Sequence, residues 1–277
     1  MRILITGANG FIGKYLRNHF QMEHEIYSIK RTNSGDLLSE SDYVMDLSDL
    51  NGVKEKFTNN IFKQKMDVII HCAAVLSNID NKDIKVFHEN NAITESMIYI
   101  ANITKTTKFI NISTIGVYPN ISGTYNEQSV IEPSINHECL YGLSKVCSEE
   151  LFKFYLKDAI QVINIRLGQV YGLGMRDDRI FAIMKSELLR DNTITVFGNG
   201  ERISNFVSIN YFIDKIHRII HDNDVQGTFN LGEKNLSYYN LAEMIIDEFG
   251  DSSSKIILNE KGIRSKVIID CSKILKL

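Results

Sequence analysis

Short apolar runs alternate along this chain with longer stretches in which apolar residues recur every three or four positions. The runs at 3–6, 25–29, 43–45, 67–71, 108–112 and 162–166 have the length and β-branched content of buried strands. Helical spacing covers 11–20, 50–58, 84–103 and 141–156. Strand and helix in repeated alternation predict an α/β fold: a parallel, doubly wound sheet over roughly the first 170 residues.

Beyond Gly168 the rhythm changes. Tyr171-Gly172-Leu173-Gly174 reads as a turn, 177–189 as a helix, and 194–197 as a strand ending in Gly198-Asn199-Gly200. Strands are expected at 206–209 and 228–231, with a helix over 211–221 between them. These pieces are too short for a core of their own. The expected organisation is a dinucleotide-binding domain over 1–168, to which about 205–232 returns, and a small C-terminal substrate-binding lobe from 169–204 and 233–277. No internal repeat or low-complexity linker interrupts it.

The first strand runs into Thr6-Gly7-Ala8-Asn9-Gly10-Phe11-Ile12-Gly13. Three glycines where a strand becomes a helix allow a tight turn, close backbone approach to a phosphate, and the helix N-terminus facing that anion. At the end of the second strand an acid would bind a ribose 2′-hydroxyl, whereas a base accommodates a 2′-phosphate. Here stand Lys30-Arg31-Thr32-Asn33-Ser34, so NADP(H) is favoured over NAD(H). Ser113 and Thr114 end the fifth strand, where a hydroxyl is able to bond a substrate oxygen whose charge changes. Tyr141 and Lys145 lie one helical turn apart, a phenol beside a cation that favours its ionised form. A dinucleotide site with a tunable phenol points to hydride transfer matched by proton transfer.

Composition narrows the partners. The 277 residues are 44% apolar and 23% charged with net charge −3, which gives no reason to expect nucleic acid. Cys72, Cys139, Cys147 and Cys271 show neither zinc nor disulfide spacing, as in a reduced compartment. No charged-then-apolar leader opens the chain and no apolar run reaches membrane-spanning length, so a cytoplasmic protein with no membrane partner is expected. His217 and His221 lie one turn apart without a third ligand in the sequence and read as an exposed helical face, so no metal is expected. His137-Glu138-Cys139 reads as a loop bordering either solvent or substrate, and His71 with Cys72 as the end of a buried strand near the cofactor.

Together these motifs resemble the extended short-chain dehydrogenase/reductase family, specifically its nucleotide-sugar epimerase/dehydratase/reductase group. The anchors are the glycine loop, Asp46-Leu47, His71-Cys72-Ala73-Ala74, Ser113 to Tyr118, Tyr141-Gly142-Leu143-Ser144-Lys145, and Arg166 to Gly172, spread over nearly the whole chain. The resemblance implies a Rossmann-type fold and a homodimer through the helices at 84–103 and 141–156. It implies that Tyr141 moves the proton, that Lys145 holds the nicotinamide ribose and lowers the phenol's pKa, and that Thr114 is the catalytic hydroxyl. Asp46 and Leu47 would meet the adenine. Ala73 and Ala74 would line the cofactor path, and Asn91 or Asn90 would be the asparagine facing the site.

Departures from the family pattern select among reactions. Sugar 4,6-dehydratases follow the catalytic threonine with an Asp-Glu pair, where this chain has Ile115-Gly116. The fucose-synthase type has a cysteine in place of Gly116. What remains is hydride transfer at the 4-position: NADPH-dependent reduction of a nucleotide-linked 4-keto-(6-deoxy)sugar, or 4-epimerisation. The lobe looks abbreviated after Lys273, and Lys30-Arg31 suits a dissociable NADPH, which tilts the expectation to reduction. The family's phosphate-binding arginine is replaced by Ser204, so Arg202 or Arg264 is expected to hold the diphosphate, with Gln169 in place of the family's asparagine. A non-enzymatic NADP-sensing module would leave the joint presence of Thr114, Tyr141 and Lys145 unexplained.

Overall fold

The structure is a computed structural model that describes residues 1–32, 40–58, 64–76, 84–136 and 138–277. Asn33, Ser34 and His137 lie outside the described residues.

In chain order the first half runs β1 (Arg2–Thr6), α1 (Phe11–Phe20), β2 (Glu25–Lys30), β3 (Asp42–Val44), α2 (Leu50–Thr58), β4 (Val68–His71), α3 (Lys85–Ile103) and β5 (Lys108–Thr114). Then follow β6 (Gly123–Tyr125), α4 (Cys139–Leu156), β7 (Gln161–Leu167), β8 (Gln169–Tyr171), α5 (Ile180–Asp191), β9 (Thr193–Phe197) and β10 (Ile203–Ser208). The chain closes with α6 (Ile209–His221), β11 (Gly227–Leu231), β12 (Lys234–Ser237), α7 (Tyr238–Phe249), β13 (Lys255–Asn259) and β14 (Val267–Ile269).

Seven strands form one parallel sheet in the order β11-β7-β5-β4-β1-β2-β3. Side chains alternate across it. Ile3 and Ile5 face α1 and α6 in one core layer, whereas Leu4 faces the layer built with α2, α3 and α4. The order reverses between β1 and β4, and such a reversal opens a crevice at the carboxyl ends of the strands.

The smaller lobe has its own apolar cluster, including Phe181, Met184, Ile194, Phe206 and Leu241. It is assembled from far-apart segments: β14 pairs with β6, β13 with β9, and β10 lies between β8 and β12. α6 packs into the main core and β11 closes the edge of the main sheet, while β10 before them belongs to the lobe's sheet. The sequence reading did not find α7, although Ser237 caps it through Asn240 N–H and Tyr238, Leu241, Ala242 and Ile245 give it a helical apolar stripe. Among the described residues no helix is long and apolar enough to cross a membrane.

Candidate active site

A cavity of about 570 Å³ lies over the crevice and extends under the small lobe. One end is glycine. Gly7 has φ +67°, and a Cβ there would stand 2.8 Å from the backbone nitrogen of Ala73, so both conformation and crowding exclude a side chain. A Cβ on Gly13 would collide with the Gly7 carbonyl oxygen. Gly10 is the N-cap of α1 and supplies no capping side chain, so the first-turn N–H groups of Phe11 and Ile12 remain without a side-chain acceptor, beside the cavity. A pyrophosphate is the kind of acceptor such a helix end takes.

Further along, Asn9 Nδ2 donates to the Thr32 carbonyl at 3.0 Å and fixes the turn after β2. Asp46 Oδ1 accepts from Ser48 N–H at 2.9 Å and Ser48 Oγ at 2.7 Å. Burial works to raise the Asp46 carboxyl, but these two bonds and the nearby Arg31 charge outweigh it and hold the group below its usual range. Buried Leu47 and Ala73-Ala74 supply the apolar walls. The cradle and these walls fit a dinucleotide.

Lys30 departs from the expected role. It is buried, and its ammonium is 3.1 Å from Asp42, which Arg17 also approaches at 3.1 Å. Residues 27–30 of β2 are all buried, so although both bases border the cavity, only Arg31 is exposed there.

At the other end Thr114, Tyr141 and Lys145 line the same cavity. Thr114 Oγ1 accepts the Gly116 N–H at 3.0 Å, which uses a lone pair and leaves its own proton to be donated. Ser113 also borders the cavity, but its hydroxyl proton is committed to Glu149. Glu149 in turn binds Arg166 at 2.8 Å, and Arg166 donates to the Tyr118 hydroxyl at 2.9 Å. This buried network fixes β5, α4 and β7 around the site. Asn90 bonds the Val75 backbone through both amide atoms and donates to Ser144 Oγ at 3.1 Å, whereas Asn91 Oδ1 is buried without a partner. Asn90 is therefore the residue that ties α3 to the Tyr141 helix.

Lys145 donates to the Ile112 carbonyl at 2.8 Å, and burial lowers it to about 8. Burial pushes the Tyr141 phenol well above its ordinary value, with Glu138 adding to the rise and Arg179 offsetting part of it. Lys145, whose ammonium is 5.8 Å from the ring centre, does not offset the rise that burial imposes on the phenol, so the lowered value expected from the sequence is not found. Beside them, His71 is buried and held neutral, with Nδ1 2.7 Å from Thr6 Oγ1.

Gln169 lines the cavity, but Arg202 and Arg264 do not. Arg202 lies over the Tyr238 ring, and Arg264 pairs with Glu201 at 3.4 Å. The cations near the reacting end are instead Arg176 and Arg179, with Glu138 3.1 Å from Arg179. Sequence reasoning missed them. The signal was Met175-Arg176-Asp177-Asp178-Arg179, directly after the Tyr171–Gly174 turn.

Comparison with known proteins places this architecture. A dTDP-D-glucose 4,6-dehydratase of Dictyostelium discoideum is 27% identical over 280 residues, covering 89% of this chain and 62% of that protein. A GDP-6-deoxy-D-talose 4-dehydrogenase of Aggregatibacter actinomycetemcomitans is 27% identical over 224 residues, covering 79% of this chain and 70% of its own length. The chain thus spans about two thirds of the length of these relatives. The crystal structure of a UDP-glucuronic acid 4-epimerase from Bacillus cereus, in complex with UDP-glucuronic acid and NAD, superposes with a TM-score of 0.79 at 25% identity, covering 100% of this chain and 92% of that one. The profile of the NAD dependent epimerase/dehydratase family matches residues 3–232. The chain belongs to that family, a group of extended short-chain dehydrogenase/reductase enzymes.

Proposed function

We propose that the chain reduces a nucleotide-activated 4-keto sugar, a 4-keto-6-deoxy sugar or close relative, with NADPH. One observation carries the reading: Thr114, Tyr141 and Lys145 converge at the end of a cavity whose other end is the glycine cradle. When bound, the dinucleotide supplies the hydride that the ketone carbon takes up.

The chain's own residues supply the rest. Thr114 donates its hydroxyl proton to the ketone oxygen and stabilises the negative charge that grows there. Tyr141, kept protonated by burial, gives its proton to that oxygen, so the carbonyl gains one hydride and one proton. Lys145 faces the phenolate left behind and lowers its energy. Arg176 and Arg179 line the substrate end, where a nucleotide sugar carries its phosphates, and phosphate binding there exchanges their pairing with Asp178 and Glu138 for the ligand. Asp46 and Glu138 are the carboxylates among the lining residues; Asp46 is at the adenosine end and Glu138 is paired with Arg179. Neither replaces the missing acid pair after Thr114, which argues against dehydration. Exposed Leu143, Phe154 and Tyr155 on α4 support a homodimer through α3 and α4.

A 4-epimerase with the same three residues is the second reading. The Lys30–Asp42 pair favours it, because Arg31 alone is left to accommodate a 2′-phosphate, and epimerases of this group retain NAD. The test is cofactor consumption with NADPH and NADH against UDP-, GDP-, CDP- and dTDP-linked 4-keto sugars. Substrate-dependent NADPH oxidation supports the reductase. Interconversion of C4 epimers of the corresponding 4-hydroxy nucleotide sugars, with no net oxidation of cofactor, replaces it with the epimerase.

A further inference from the structure

Where the far end of α1 meets α6, four of the seven histidines gather in a cluster that hydride transfer leaves unused. His19 and His24 come from the first βα unit and His217 and His221 from α6. His217 and His221 leave the same helical face, with ring centroids 4.9 Å apart. His24 is 5.5 Å from His221 by the same measure.

The sequence showed the His217–His221 pair without a third ligand, and the fold brings one. Glu23 sits in the turn after α1, its N–H bonded to the Phe20 carbonyl at 3.1 Å. One ligand atom each from Glu23, His217 and His221 lies within 4.8 Å of the others. Glu23 and His221 are exposed, so small side-chain torsions suffice to bring such atoms to metal-bonding distances of about 2.0–2.2 Å.

We propose that Glu23, His217 and His221 form a surface Zn²⁺ site that clips α1 to α6. Two imidazoles and one carboxylate are a zinc donor set, with a fourth position for water. His19 acts behind them. Its Nε2 is 3.1 Å from His217 Nδ1, and the tautomer in which His217 donates that bond leaves Nε2 of His217 as the metal-binding nitrogen. The site lies at the opposite end of α1 from the glycine cradle, and its role is to stabilise rather than to catalyse.

The test uses the whole protein, free of any polyhistidine tag and stripped with chelator. Calorimetric titration with ZnCl₂ is expected to give one ion per chain, and thermal unfolding a Tm that rises with Zn²⁺ concentration. Co²⁺ bound in its place is expected to show no thiolate charge-transfer band, which separates this site from the four cysteines. Glu23→Gln and His221→Gln are each expected to weaken binding by about tenfold or more, and His19→Ala by about 10–100-fold. His88→Gln, exposed elsewhere, leaves it unchanged. The proposal is overturned by no saturable binding in the parent protein, by undiminished binding in a His217→Gln/His221→Gln variant, or by a thiolate band.

Discussion

Lys145 holds its ammonium against the carbonyl oxygen of Ile112, 2.8 Å away, and not against the Tyr141 phenol, whose ring centre is 5.8 Å off. That bond ties the first half of α4 to the end of β5, two residues before Thr114. One helix–sheet contact therefore sets all three groups. Burial then separates their proton affinities: the phenol keeps its proton, while the ammonium comes down to about 8.

If Tyr141 donates the proton, Tyr141→Phe removes the donor and little else, because the buried ring is retained. Turnover is expected to fall by about 10²–10⁴-fold. Cofactor affinity, followed by nicotinamide fluorescence, should change little. A variant that turns over near the parent rate removes Tyr141 from the mechanism.

The Lys145 shift gives a pH prediction for activity. Its charge is lost as pH rises through about 8, and with it the cation facing the phenolate, so kcat/KM is expected to decline above that pH. Lys145→Met should flatten this limb and lower kcat by about 10²-fold or more. Stability runs the other way. Between about 8 and 10.5 the unfolded chain binds a proton that the folded chain lacks, so this group's penalty is full below 8 and relieved as pH rises. A falling limb that survives in the Met variant would assign it elsewhere.

Coenzyme choice should rest on Arg31 rather than Lys30. Arg31→Ser is expected to weaken NADPH by about 10- to 150-fold while leaving NADH unchanged, as one lost phosphate contact worth about 1.5–3 kcal/mol implies. Lys30→Met should act on stability instead, since Asp42 is buried between Lys30 and Arg17. Titrating both nucleotides against both variants separates the two roles. Equal loss of NADPH affinity in the two would restore Lys30 to the cofactor site.

The Arg166–Glu149 pair has side chains only 5% and 3% exposed, so removing one partner strands a charge. Glu149→Gln is expected to cost about 3–5 kcal/mol of stability in denaturant titration. The double change Glu149→Met with Arg166→Met should cost less than the sum of the single changes. Additivity would mean that the pair contributes nothing as a pair.

Much of the sheet was legible because its signals are local. The glycine spacing at 7, 10 and 13 and the short apolar runs of β1, β4, β5 and β7 need no distant partner to be read. The small lobe was harder: β14 pairs with β6 across most of the second half of the chain, β6 carries no apolar run, and β14, although apolar, is only three residues long. Two basic residues in a row showed charge at the end of β2, but not that Lys30 faces Asp42 from β3. Arg202 was chosen because it lies two residues before a family motif and Arg264 as an alternative charge, whereas the loop before α5 gives the cavity Arg176 and Arg179. Glu23 was invisible beside His217 and His221 because only the α1–α6 contact brings it there.

The central claim is that a hydride reaches the sugar C4 while Tyr141 supplies the proton. The most direct measurement uses NADPH deuterated at the transferring position, a 4-keto nucleotide sugar accepted in the panel, and NMR of the product. Deuterium at C4 of the sugar in the parent protein, accumulating about 10²–10⁴-fold more slowly in Tyr141→Phe, is the expected result. Product whose C4 carries only protium would contradict the account.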